Sequence, residues 1–294
     1  MKRLFAFALA TAILLPATGA QAADVLWRGG FESGGTGEFW GISASGCGSA
    51  KAVAGPAHTG KNAGALTICN GDGGVRMRVE GLVPTTSLPN DAYYSTWFSM
   101  PNGFTGDDSN IFQYKQEHGT TKEVLFSIQA TWVAGSGWDL RLKGKINQTT
   151  DVWDGVQRVY GRSGAAGIYA PATGWFHLET RYVWSKTGQG RITTWLNGRL
   201  LWDRTGMTTE VAAWPYQDRP RQWTINHYAK GISPLTSTIY IDDAAVALTR
   251  QGGTSVTSTS TTTTAAAPVT TTTAVADPKN IHGHPWRTEW WDWK

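Results

Sequence analysis

The stretches "VLFSIQATW", residues 124–132, and "GWDLRLKGKI", residues 137–146, both alternate with a period of two. In the first, Val124, Phe126, Ile128, Ala130 and Trp132 oppose Leu125, Ser127, Gln129 and Thr131. In the second, Leu140, Leu142 and Ile146 oppose Asp139, Arg141, Lys143 and Lys145. Successive side chains of a strand point to opposite faces, so each stretch reads as a strand with one apolar and one polar face. "GVRMRVEG" repeats the pattern, with Val75, Met77 and Val79 against Arg76, Arg78 and Glu80. "RITTWLNGRLLWD" carries Asn197-Gly198 between two such runs, a pair that accepts the positive φ of a tight hairpin. Gly, Asn, Asp and Pro separate the runs at regular spacing, and no stretch keeps a helical period over three turns. The expected fold is all-β, a jelly-roll β-sandwich of two antiparallel sheets.

This domain is expected to span residues 23–250. Residues 1–22 begin Met-Lys-Arg, continue as an apolar run and end in Ala20-Gln21-Ala22, the form of a secretory signal peptide. Its removal takes Lys2 and Arg3 and no acid, lowering the net charge from +4 to +2. No later segment is apolar enough to span a membrane. Residues 251–279 are rich in Thr and Ala and hold almost no charge or large apolar side chain, so they read as a disordered linker. Residues 280–294 form a tail with four tryptophans in its last nine positions. Cys47 and Cys69 are the only cysteines; in an exported chain, extracellular or periplasmic, they are expected to form one disulfide.

Arg76 with Arg78, and Arg141 with Lys143 and Lys145, each share a face by parity and form rows of cations. Two such rows in a protein of nearly neutral charge point to an anionic partner. The sixteen tryptophans favour an acidic polysaccharide over nucleic acid, because aromatic rings stack on sugar rings. "NIFQYKQEHG", residues 110–119, spends much polar chemistry in a strand-like segment: Gln113 and Lys115 fall on one parity, Gln116 and His118 on the other. "WTINHYAKGISP", residues 223–234, adds Asn226, Tyr228 and Lys230 on one parity and His227 on the other. A tyrosine of pKa about 10 serves as a base only where cations favour its phenolate.

With these motifs, "FESG" at 31–34, "YYSTWFSMP" at 93–101, "GWFHLETRYVW" at 174–184 and "STIYIDDAAV" at 237–246, the sequence resembles the polysaccharide lyases of the heparin lyase I and glucuronan lyase kind. These are secreted jelly rolls related to concanavalin A-like lectins. The resemblance implies cleavage of a uronic acid-containing polysaccharide by β-elimination. A base removes the C5 proton, made acidic by neutralising the neighbouring carboxylate, and an acid protonates the departing O4. It implies Tyr228 as base or acid with His118 as partner, and Gln113 or Gln116, with Lys115, at the carboxylate. Arg76, Arg78, Arg141, Lys143, Asn226, His227 and Lys230 would bind substrate. It also implies a structural calcium ion held by Glu32, Asp242 and Asp243, whose carboxylates are the hard ligands such an ion takes. The enzyme is expected to be monomeric. The alternative is a non-catalytic module that grips acidic glycans, since a fold does not fix a function. A hydrolase would need two carboxylates flanking the bond, and no strand pairs them on one face.

Overall fold

The computed structural model describes residues 24–69, 74–79, 88–118, 121–214 and 221–252; of 74–79, 107 and 108 it describes the backbone only. The expected signal peptide and tail, and the linker beyond Gly252, lie outside the described residues. Fifteen strands are found among those described: β1 (Val25–Gly29), β2 (Gly41–Ala44), β3 (Ser49–Ala54), β4 (Asn62–Cys69), β5 (Gly74–Val79), β6 (Asp91–Ser99), β7 (Thr105–His118), β8 (Thr121–Val133), β9 (Gly137–Asn147), β10 (Val152–Arg162), β11 (Trp175–Val183), β12 (Gly190–Leu196), β13 (Arg199–Met207), β14 (Gln222–Ser233) and β15 (Thr236–Ala247). The first sheet runs β13-β12-β11-β6-β15-β4-β3, with β1 also paired to β15; the second runs β10-β9-β8-β7-β14-β5-β2. All pairings are antiparallel, as the alternating runs require. Among the described residues no helix is long and apolar enough to cross a membrane.

The apolar parity of each strand meets its counterpart on the other sheet. Phe98 of β6 lies 5.5 Å from Phe112 of β7, and Tyr114 of β7 stacks on Tyr182 of β11 at 4.0 Å. Tyr94 joins them against Tyr114 and Trp223. Burying a side chain such as Phe112 contributes roughly 1.5–3 kcal/mol, so the alternation read in the sequence is also the main source of cohesion. Gly144 interrupts the apolar row of β9 because a Cβ there would collide with the rings of Phe126 and Tyr160. Gly144→Val would break the packing at that point.

Local chemistry fixes the ends of strands. Asn197 and Gly198 both take positive φ, 48° and 77°, and turn β12 into β13 with Leu196 opposite Arg199. Cys47 and Cys69 form the expected disulfide, their Cα atoms 5.9 Å apart, tying the loop before β3 to the end of β4. The sequence pattern misplaces Leu125: the β7–β8 register shifts between Tyr114 and Lys115, and Leu125 is buried in the core beside Phe126. β10, at the end of the second sheet, slips register twice, between Trp153 and Arg158 and between Val159 and Gly161.

Candidate functional site

The face of the second sheet turned away from the core carries two transverse polar rows. In one, Tyr228 (β14) pairs with Asn110 (β7), Asn110 with Gln129 (β8), Gln129 with Arg141 (β9) and Arg141 with Arg162 (β10). Neighbouring strands lie about 4.8 Å apart, so this row is roughly 19 Å long. In the other, Arg78 (β5) pairs with Thr224, Thr224 with Gln113, Gln113 with Ser127 and Ser127 with Lys143. Asn226 falls between the rows on β14, opposite Arg76 on β5. Alternation explains the layout: Trp223, Ile225, Phe112, Ile128 and Leu142 fill the core, so their neighbours in sequence face the other way.

Several of these groups are buried without a hydrogen-bond partner. Both amide atoms of Asn226, the Gln113 Oε1 and the Thr224 Oγ1 are unmatched among the described residues. Asn226 and Thr224 are 0 % exposed and Gln113 is 6 % exposed. Each such group costs about 1–3 kcal/mol, so three at adjoining positions weaken the fold and call for a ligand that meets them. Tyr228, half-buried, stands two residues from Asn226 on the same parity, roughly 7 Å along the strand. Gln129 steadies the first row by donating from Nε2 to Asn110 Oδ1 at 3.2 Å.

At the far end of the first row lies Asp139, fully buried. Its Oδ2 accepts from Arg141 Nε at 3.0 Å and Arg162 Nε at 2.6 Å, and its Oδ1 from the Gly164 N–H at 2.8 Å. Burial alone would raise the pKa of this carboxyl, but the Gly164 N–H and the Arg162 and Arg141 guanidiniums outweigh it and hold the pKa below the usual value.

The structure thus brings Tyr228, Asn226, Gln113, Arg141 and Lys143 to one face and sets Arg76 and Arg78 beside it by register. Lys115 is buried on β7 opposite Gln222, and Lys230 pairs with Asp107 beyond Tyr228. Three expected site residues go elsewhere. His118 lies at the end of β7, eight residues from Asn110 and so roughly 26 Å from the Tyr228 position, stacked on Trp214 at 4.6 Å; it cannot partner Tyr228. Gln116 spends its amide on Val211, donating to the carbonyl at 3.0 Å and accepting from the N–H at 2.8 Å, so of the two glutamines Gln113 alone stays with the site. His227 points into the core, with its ring against Phe104 and Nε2 3.0 Å from Ser237 Oγ; burial lowers its pKa to about 3. Lys145, read with the cationic row, is buried against the Trp153 ring.

Glu32, Asp242 and Asp243 converge on the turn at residues 58–62. Glu32 accepts from the Lys61 and Asn62 N–H groups, Asp242 from those of His58, Thr59 and Asp243, and Asp243 meets the Thr59 hydroxyl and His58 Nδ1. Among the described residues no three His, Cys, Asp or Glu side chains stand close enough to hold a metal. As arranged, the three carboxylates clamp the turn through those donors.

Sequence reasoning missed Asn110, Gln129, Thr224, Asp139 and Arg162 as members of this face. Asp139 and Arg141 did carry a signal, an acid and a base two apart on one parity. The others depend on the register between strands, which no single run encodes.

No protein-family model and no curated protein matches the chain. Solved structures do. An endo-β-1,4-glucuronan lyase from the fungus Trichoderma reesei superposes with a TM-score of 0.58 at 15% identity, covering 76% of this chain and 96% of that one. The marine alginate lyase from Aplysia kurodai gives 0.54 at 12% identity, covering 76% and 99%. The alginate lyase Aly36B gives 0.50 at 12% identity, covering 78% and 93%. The fold is therefore one shared with polysaccharide lyases of the jelly-roll type.

Proposed function

We propose that the chain is a secreted polysaccharide lyase that cleaves a uronic acid-containing polysaccharide by β-elimination. The observation that carries this reading is the set of unmatched buried groups beside Tyr228, above all the Asn226 amide. A uronate carboxylate admitted to Asn226 would accept from its unmatched Nδ2–H, and the C5 hydrogen next to it would become acidic. Tyr228, as phenolate, takes that proton. The electron pair of the C5–H bond forms the C4=C5 double bond, the C4–O4 bond breaks, and O4 leaves with a proton returned by the Tyr228 hydroxyl. With His118 far away, one tyrosine serves both steps. By backbone register Arg76 lies opposite Asn226 and Arg78 opposite Thr224 on the neighbouring strand. The fold shared with glucuronan and alginate lyases supports the substrate class. The signal peptide expected at residues 1–22 supports export, and the disulfide fits an oxidising compartment.

The test is to mix the protein with polyglucuronate, alginate and heparin and follow ultraviolet absorbance from the new double bond. Wild type is expected to generate it, and Tyr228→Phe to lose about a hundredfold or more of the rate. Binding with no absorbance on any of the three would leave a sugar-gripping module instead.

A further inference from the structure

The geometry points to a second anion subsite at the far end of the first polar row, formed by Arg141 and Arg162 and built by Asp139. It rests on the proposed reading of the sheet face and extends it to a chain of several acidic sugars. Each guanidinium gives its Nε–H to the buried Asp139 carboxylate and makes no other bond among the described residues, whose groups leave the Nη donors of both unspent. The other ion-paired arginines with described partners, Arg158, Arg181, Arg191, Arg221 and Arg250, each commit an Nη group as well. Arg141 and Arg162 are also open to solvent, their side chains 28% and 50% exposed. Two guanidiniums sharing one carboxylate carry a net charge of +1, and the unspent planar forks match the two oxygens of a carboxylate.

Asp139 is a positioning residue. With its second oxygen on the Gly164 N–H, it is fixed to the backbone and holds both arginines at one height across β9 and β10. Preorganisation of this kind removes part of the ordering cost of binding. Arg141 is three strand intervals from Tyr228 and Arg162 four, and a pyranose ring is about as long as one interval of about 4.8 Å. A polyuronate running across the strands would place a carboxylate at this pair about three sugars from the unit that loses its proton. The pair therefore selects long acidic chains over short ones.

The test uses the full mature chain carrying Tyr228→Phe, so that ligand survives titration, and calorimetry with glucuronate and alginate oligomers of six and of two units. Addition of Arg162→Gln is expected to lower the ratio of hexamer to dimer affinity about tenfold, as loss of charge-assisted hydrogen bonds does, and Arg162→Lys to restore part of it. Asp139→Asn should lower the same ratio with Arg141 and Arg162 intact; if that variant fails to fold, the exposed Arg162 still decides. An unchanged ratio in Arg162→Gln, or a parent that binds neither hexamer, overturns the subsite. If Tyr228→Phe instead keeps making unsaturated ends, the assignment of Tyr228 fails while the affinity ratio still reports on the arginines.

Discussion

The outer faces of the two sheets treat polar groups in opposite ways. On the first sheet, Arg181 closes both arms of its fork on Asp91 at 2.8 and 2.6 Å, Arg191 does the same with Asp203, and Arg250 reaches Glu179 and the Gly198 carbonyl. On the second sheet, Asn226, Gln113 and Thr224 keep unmatched atoms, and Arg141 and Arg162 keep their Nη donors. Charge density alone does not separate the two faces. Among the described residues the first face spends its guanidiniums within itself and leaves the His177 Nδ1 unmatched, while the second leaves a cluster of groups unmatched, which is the ground for the reading proposed for it.

The sharpest way to break this contrast is to remove one unmatched group. Asn226→Ala is expected to cut the elimination rate tenfold or more, with no fall in melting temperature, because a buried amide without partners stabilises nothing. Kinetics and a thermal melt on the same sample check both halves, and a large loss of stability would mean that Asn226 is structural.

A second test uses pH. Burial lowers His177 to about 4, with the charges of His58 and Arg250 adding to it, and lowers His227 to about 3. Unfolded, both would titrate near 6.5, so as pH falls from 6.5 towards 4 the unfolded chain binds protons that the folded one refuses, and stability drops. Asp242, raised to about 6 by burial and by the Asp243 charge, acts in the opposite sense: its contribution is present below its unfolded value and lost as pH rises through 6. Glu179, raised by burial, acts with Asp242; the two histidines, lowered furthest, are expected to outweigh them, so the melting temperature should rise from pH 4 to pH 7. His177→Phe, which removes one of the two, should flatten that rise.

The smaller effects belong to the satisfied side. Arg191→Met on the first sheet is expected to cost less than about 1 kcal/mol in chemical denaturation and to leave the elimination rate unchanged, as exposed ion pairs do. Excess calcium is expected to leave the melting temperature where it is, since the oxygens of Glu32, Asp242 and Asp243 already have donors. A rise would show that the clamp on the 58–62 turn reopens around an ion.

The fold was largely readable from local alternation. "VLFSIQATW" and "GWDLRLKGKI" pair as β8 and β9 with their apolar parities inward, and Asn197-Gly198 makes the hairpin its residue types predict. The site was readable in part. Tyr228, Asn226, Gln113, Arg141 and Lys143 share a face because parity within a strand is local information. His118 and Gln116 lie away from this face because their place depends on distance along β7 and on a distant segment, Val211 to Trp214, that packs over the strand end. His227 followed its parity into the core, where Nε2 lies 3.0 Å from Ser237 Oγ on the other sheet and Nδ1 stays unmatched among the described residues.

The slipped register of β10 has a consequence for the border of the second sheet. Its broken ladder and the protruding Val152, Val156 and Val159 offer a second copy no straight rail of backbone groups on which to add a strand. That border of the second sheet is thereby guarded against strand addition without a covering helix or loop.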